Sequence, residues 1–268
     1  METAHLKRWL TGIILSAILL GVIFYGSREL FLILVLAAGG LGTWECLHLF
    51  FPGNRGIEVL GLLLGLLLIL LLTREISIPA ALLLSALSML ALSVLTFLYK
   101  GERKTLDRPS WFLLGVLYVA PLISTAYLIY KGAKGPLYIC MTAAIVFAGD
   151  TLAYYCGRTW GKRPLAPLIS PKKTWEGALG GLLGSLLAVL PFKPYVPEFS
   201  LSILLLLAAG CGICAQVGDL AESCIKRSVG VKDSGKILPG HGGLLDRLDG
   251  FLFALPVFYG YLYLTGSY

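Results

Sequence analysis

Residues 202–218 read SILLLLAAGCGICAQVG and run without a break into DLAESCIKRS at 219–228. The first part is as long as a bilayer requires and lacks the turn signals of a buried strand, so it reads as a membrane-spanning helix. The second part sets Asp219 and Glu222 three residues apart, on one helical face, while the sequence is still apolar. A carboxylate at that depth is costly, which points to function before packing.

Outward from this stretch the pattern repeats. GLLLGLLLILLLT at 61–73 is a second such run, and the 268 residues as a whole are 57% hydrophobic and 14% charged. The mean hydropathy of +0.83 exceeds what a soluble domain needs to fill its core. Only helices or closed barrels satisfy their backbone in lipid, and the period-two alternation of a barrel is missing. The expected fold is therefore an all-α integral membrane protein, a polytopic helical bundle of about nine transmembrane helices. The spans fall near 9–25, 29–50, 57–73, 77–98, 111–130, 136–156, 177–191, 201–225 and 250–266. The first follows a short basic head, Lys7 and Arg8, and reads as an uncleaved anchor.

Nine spans put the termini on opposite sides, which the basic residues can test. Arg28, Arg74, Lys131, Lys134 and Lys193 are the five on one side; the other 17 of the 22 lysines and arginines lie on the side of the N-terminus. Positive residues mark cytoplasmic loops, so the N-terminus is expected in the cytoplasm and the polar loops at the cytoplasmic face of the cell membrane. The net charge of +7 is accounted for by topology and headgroup contacts, as with Lys100, Arg103, Lys104 and Arg108, and no nucleic-acid partner is expected. No loop is long enough for a separate soluble domain. The chain divides into N-terminal transmembrane helices, 1–110, and a C-terminal transmembrane catalytic region, 111–268, within one membrane-embedded unit.

Two cytoplasmic loops carry the chemistry. The first region, GDTLAYYCGRTWGKRPLAPLISPKKTWEG at 149–177, brings Asp150, Arg158, Lys172, Lys173 and Thr174. The second, GDLAESCIKRSVGVKDSGKILPGHGGLLDRLDG at 218–250, brings Asp219, Glu222, Asp246 and Asp249. If the second loop folds back between its helices, three or four carboxylates converge and need a cation. Ligands that are all oxygen favour a hard metal such as magnesium. Lys226, Arg227, Lys232, Lys236, Arg247 and the glycines at 240, 242 and 243 add cations and open backbone amides. Together these suit a polyphosphate. His241 is either a phosphate donor or a structural hydrogen-bonding group.

Other features read as structural. The CGIC at 211–214 is packing in a lipid-embedded helix, and the glycines of GALGGLLGS (177–185) are close helix contacts. Trp111, Tyr154 and Tyr155 are interface anchors, and Glu45 and Glu58 stand close enough to span ends to reach water.

The run Ser223, KR (226–227), KD (232–233), LPGHGG (238–243) and DRLD (246–249) resembles the signature of the phosphatidate cytidylyltransferases, also called CDP-diacylglycerol synthases. The first loop, with GDT, GR, GK and SPKKTWEG, resembles the same family. The resemblance implies magnesium-dependent transfer of CMP from CTP to phosphatidate in the membrane, with pyrophosphate released, and a homodimer. It implies that Asp219, Asp246 and Asp249 hold the metal. Lys226, Arg227, Lys232, Asp233, His241 and Arg247 form the catalytic set, in which no strong base is required of His241 because the attacking phosphate is already ionised. Asp150, Arg158, Lys172, Lys173, Thr174 and Ser223 bind substrate, the basic ones holding either the nucleotide or the lipid phosphate. Two other readings fit less well. A CDP-alcohol phosphotransferase requires a tighter aspartate motif than DRLDG, and a transporter requires polar residues spread through the midplane of several helices.

Overall fold

The computed structural model describes residues 17–74, 78–100, 108–235, 237 and 242–267. It is a polytopic helical membrane protein. Helix α1 covers 17–25 among the described residues. It is followed by α2 (Arg28–Phe50), α3 (Arg55–Leu72), α4 (Ile78–Leu98), α5 (Arg108–Tyr130) and α6 (Gly135–Trp160). After a short hairpin, β1 (Pro164–Ala166) and β2 (Ser170–Thr174), come α7 (Trp175–Ala188), a 3-10 turn (Leu190–Tyr195), α8 (Leu201–Ser228) and α9 (Leu245–Thr265). Among the described residues eight helical segments are long and apolar enough to cross a membrane, from Arg28–Phe50 to Leu245–Thr265. The first expected span lies partly outside the described residues.

Helix α5 is the axis of the bundle, packed against α2, α3, α4, α6 and α9. Tyr118, Val119, Ala120, Leu122, Ser124 and Thr125 in its middle are all buried. Pro121 cannot donate to the carbonyl of Leu117, and lipid offers no water to replace that bond. Helix α4 repairs the defect: the Ser88 hydroxyl donates to the Leu117 carbonyl at 2.7 Å, and that of Ser85 to the Pro121 carbonyl at 3.1 Å. The outward faces of α3 and α4 carry exposed Leu63, Leu67, Leu83, Leu87 and Leu90, the surface expected to meet lipid tails. Tyr130 stacks on Phe31 at 3.8 Å and places its hydroxyl 3.0 Å from the Gly26 carbonyl, which fixes the end of α1.

Helices α6 and α7 approach most closely, along the glycine stripe at 177, 180, 181 and 184. Gly184 lies over the Ala148 carbonyl, where an added Cβ would come within 2.5 Å of the oxygen, and one at Gly177 would come within 2.9 Å of the Ala153 oxygen. These glycines are helix contacts, as expected. They also bring the two ends of the first polar loop side by side.

Several readings need correction. Trp111 is buried and stacks on Phe50 at 4.2 Å instead of anchoring at the interface. Glu45 and Glu58 do not reach water; both are buried, and Glu58 accepts from or shares a proton with His48 Nδ1 at 2.8 Å. The first polar loop contains the β1–β2 hairpin, pairing Pro164 with Thr174 and Ala166 with Ser170. The last helix begins at Leu245, five residues before the expected 250, because its first turn finds partners outside its own sequence.

The glycine stripe gives a contrast to measure. Gly184→Leu overpacks the α6–α7 contact and is expected to lower stability by about 1–3 kcal/mol. Gly21→Leu, at a position with nothing within 4 Å, is expected to be neutral. Thermal unfolding of both variants in detergent checks this; equal melting would mean that α6 and α7 separate without cost.

Candidate active site

The chemically distinctive residues form two clusters, joined by α8 and α9. The first surrounds a cavity of about 640 Å³ lined by Asp150 and Arg158 from α6, Lys172, Lys173 and Thr174 from β2, and Asp219 from α8. The hairpin folds SPKKT back over the helix ends, which is how two lysines some fifty residues before Asp219 come to face it. Lys173 forms an ion pair with Asp219. Arg158 donates from Nη1 to the Tyr154 hydroxyl at 2.9 Å. Thr174 caps α7, its hydroxyl oxygen accepting the Gly177 amide at 3.1 Å. Glu176 accepts the amides of Lys162 at 3.1 Å and Arg163 at 3.3 Å, latching the start of the loop to the start of α7. Helix α7 thus begins in the cavity wall, where its dipole favours an anion.

The second cluster is centred on Lys226. Its ammonium pairs with Glu222, one turn back on α8 and 0% exposed, and donates to Asp246 Oδ1 at 2.7 Å. Asp246 also accepts the Ser234 amide at 3.1 Å and the Gly243 amide at 3.0 Å. Ser234 and Gly243, two points of the returning loop, thereby meet at one carboxylate. Gly242 takes a φ of +83°, a left-handed conformation that L side chains rarely adopt. The carboxylate of Glu45, from α2, accepts the Leu245 amide at 2.8 Å.

The two clusters meet through Asp249. It lies one turn beyond Asp246 and within electrostatic reach of Asp219, Asp150 and Lys173. Arg227 makes a second connection, donating from Nε to the Ile169 carbonyl in the hairpin turn and from Nη1 to the Val231 carbonyl, both at 3.2 Å. Its observed contacts thus tie the two loops together. Ile169 is buried against Tyr99 and Cys224, which seats the hairpin on the ends of α4 and α8.

The expected substrate-binding residues Asp150, Arg158, Lys172, Lys173 and Thr174 therefore share one cavity, whereas Ser223 is half-buried on α8 and outside its lining. Lys232, Asp233 and Arg247 are exposed near the second cluster. Lys236 and His241 lie outside the described residues. Among the described residues no three His, Cys, Asp or Glu side chains gather closely enough to hold a metal. Asp219 and Asp246 each face a lysine instead. Gln216, not singled out in the sequence, and Glu45, which there reads as a group reaching water, belong here. Gln216 lines the cavity one turn before Asp219, so extending the three-residue spacing by one step finds it. Glu45 carries no such signal, because its partners are about two hundred residues away.

Comparison with known proteins shows the family of the sequence. The sequence model described as the cytidylyltransferase family matches residues 6–265. A phosphatidate cytidylyltransferase of Staphylococcus haemolyticus is 38% identical over 256 residues, 93% of this chain and 96% of that protein. The phosphatidate cytidylyltransferase of Staphylococcus epidermidis is 43% identical over 173 residues, 64% of this chain and 65% of that protein. One from Staphylococcus aureus is 42% identical over 174 residues, again 65% of its length. The chain thus spans slightly under two thirds of the length of the latter two in alignment.

Lys226 is the only cation that these contacts give to Glu222. Lys226→Met is expected to strand a buried carboxylate and lower stability by about 3–5 kcal/mol. Glu222→Gln together with Lys226→Met should recover most of that loss. Thermal unfolding of the purified full chain in detergent measures both; an undisturbed single variant would show that Glu222 does not depend on the pair.

Proposed function

The chain belongs to the cytidylyltransferase family, and on that premise we propose that it transfers CMP from CTP to phosphatidate, giving CDP-diacylglycerol and pyrophosphate. The observation that carries this reading is the cavity in which Asp150, Arg158, Lys172, Lys173 and Asp219 stand together at the ends of membrane helices. One substrate comes from water with three phosphates and the other from lipid with one, and a charged cavity at the membrane boundary serves both. The distribution of basic residues supports placing it on the cytoplasmic side of the cell membrane, with a cytoplasmic N-terminus and nine spans.

In this reading a phosphate oxygen of phosphatidate attacks the α-phosphorus of CTP in line, a P–O bond forms, and the bond to pyrophosphate breaks. No proton need be removed from the nucleophile. The work of the chain is therefore to bring two anions together and hold the charge that shifts to pyrophosphate. Arg158, Lys172 and Lys173 supply cations around the cavity, assisted by the start of α7. Lys226 stands between Glu222 and Asp246, and the exposed Lys232 and Arg247 add positive charge to the second loop and the start of α9.

Magnesium is the proposed cofactor, with Asp219, Asp246 and Asp249 its proposed ligands. All three groups are carboxylates, the donor class that a hard cation takes; among the described residues they do not gather around one point, and Asp219 and Asp246 each pair with a lysine that the ion would have to displace. When bound, the ion would offset the negative charge of the reacting phosphates. Two copies of the chain are proposed to form the homodimer.

The test uses purified protein in detergent, magnesium, phosphatidate and CTP labelled at its α-phosphate. Label is expected to enter the organic phase only with phosphatidate and magnesium present. It should fall by about a hundredfold or more in Asp219→Asn and in Asp246→Asn. Folded wild-type protein that makes no lipid-soluble label from several phosphatidates would overturn the reading, and uptake of a phosphorylated solute by sealed vesicles would replace it.

A further inference from the structure

Glu45 belongs to the last turns of α2, yet its side chain hydrogen-bonds to Ser234 and Leu245, at the two ends of the second polar loop. Its side chain is 1% exposed. Oε2 accepts the Leu245 amide at 2.8 Å and lies 3.5 Å from the Ser234 hydroxyl, partners 200 and 189 residues away. Leu245 is the first residue of α9, and the residue before it, Leu244, gives that helix no side-chain cap. A helix start that is buried must find acceptors for its amides. A carboxylate satisfies one and also complements the dipole. Helix α9 is thus capped in trans, from another transmembrane helix.

The surroundings are shaped to this carboxylate. A Cβ added at Gly235 would run into Glu45, and one at Gly243 would run into Ser234 and approach Glu45 Oε1 within 3.0 Å. Through Ser234 the same contacts continue to the site, because the Ser234 amide donates to both oxygens of Asp246, at 3.2 and 3.1 Å. Asp246 in turn holds Lys226. A single buried group therefore fixes both ends of the 234–245 segment and, one residue further, the carboxylate that orients Lys226.

We propose that Glu45 is a positioning residue for the reaction: by capping α9 and holding Ser234 it sets the place of Asp246 and Lys226 without touching substrate. Its significance as a site residue rests on the cytidylyltransferase reading above. It makes the N-terminal helices part of the machinery, not only its anchor.

The experiment compares wild type, Glu45→Ala and Glu45→Gln as full chains in detergent, with two readouts. Backbone hydrogen exchange over 234–250 is measured without substrates, and kcat and KM are measured separately for CTP and phosphatidate. Glu45→Ala is expected to speed exchange in this segment by about tenfold. It should lower kcat by about tenfold or more, with KM for phosphatidate within about twofold of wild type. Glu45→Gln keeps a carbonyl for the Leu245 amide and should recover the exchange protection and at least about a third of kcat. Wild-type exchange in Glu45→Ala, a fall in kcat without faster exchange, or a Glu45→Gln variant no better than Glu45→Ala would each overturn the proposal. If Glu45→Ala does not fold, Glu45→Gln decides alone: loss of both protection and kcat in it refutes the assignment. A wild-type protein that makes no lipid product would remove the cytidylyltransferase reading, while the exchange measurement would still decide whether Glu45 holds the loop.

Discussion

The ion pair network of Lys226 with Glu222 and Asp246 is the constraint on which the polar half of the molecule depends. Glu222 is fully enclosed, and its burial is offset by a cation on the same helix. The spacing of one helical turn on α8 brings Lys226 to it. Lys226 then reaches across to Asp246 at the start of α9, so that neutralising one buried charge also joins two transmembrane helices through the loop that separates them. The Ser234 and Gly243 amides close around the same aspartate. Two points of the loop between α8 and α9 are thereby held to one side chain.

The other cluster is built by backbone proximity. Helix α7 can approach α6 along its glycines only because no side chains intervene, and this approach closes the first loop into a hairpin over the membrane boundary. Lys173 reaches Asp219 as a result, and the cavity acquires walls from α6, β2, α7 and α8. Arg227 and Ile169 hold the hairpin against the second loop, one by hydrogen bonds and the other by burial. The two polar loops are thus one assembly. Asp249, reaching Asp219 electrostatically from the helix that Asp246 begins, is where their fields combine.

A membrane site of this kind has an economy suited to phosphoryl transfer between a dissolved and a lipid-borne substrate. Positioning and charge compensation are the main requirements of such a reaction, and both come here from side chains already held by buried pairs and helix caps. The lipid-facing surface of α3 and α4 and the polar ends of α6 to α9 divide the labour. One faces outward as an apolar surface, and the other gathers charge at the helix ends.

The sequence by itself determined the class of fold, the approximate positions of the spans among the described residues and the two polar loops that stand out from them. Those properties depend on runs of apolar residues and on charges near one another in the chain, which local order preserves. It also pointed to the family, through SPKKTWEG and the run from Ser223 to Asp249. What tertiary structure alone decided was which polar groups pair with which. Lys173 with Asp219, Arg227 with Ile169 and Glu45 with Leu245 join residues 46, 58 and 200 positions apart. Pairings of that kind follow from the packing of helices around α5, and no spacing within a single helix encodes them. Glu45 is the plainest instance: near the end of an apolar span it reads as a group that reaches water, and only the return of α9 to the end of α2 shows it buried and capping another helix.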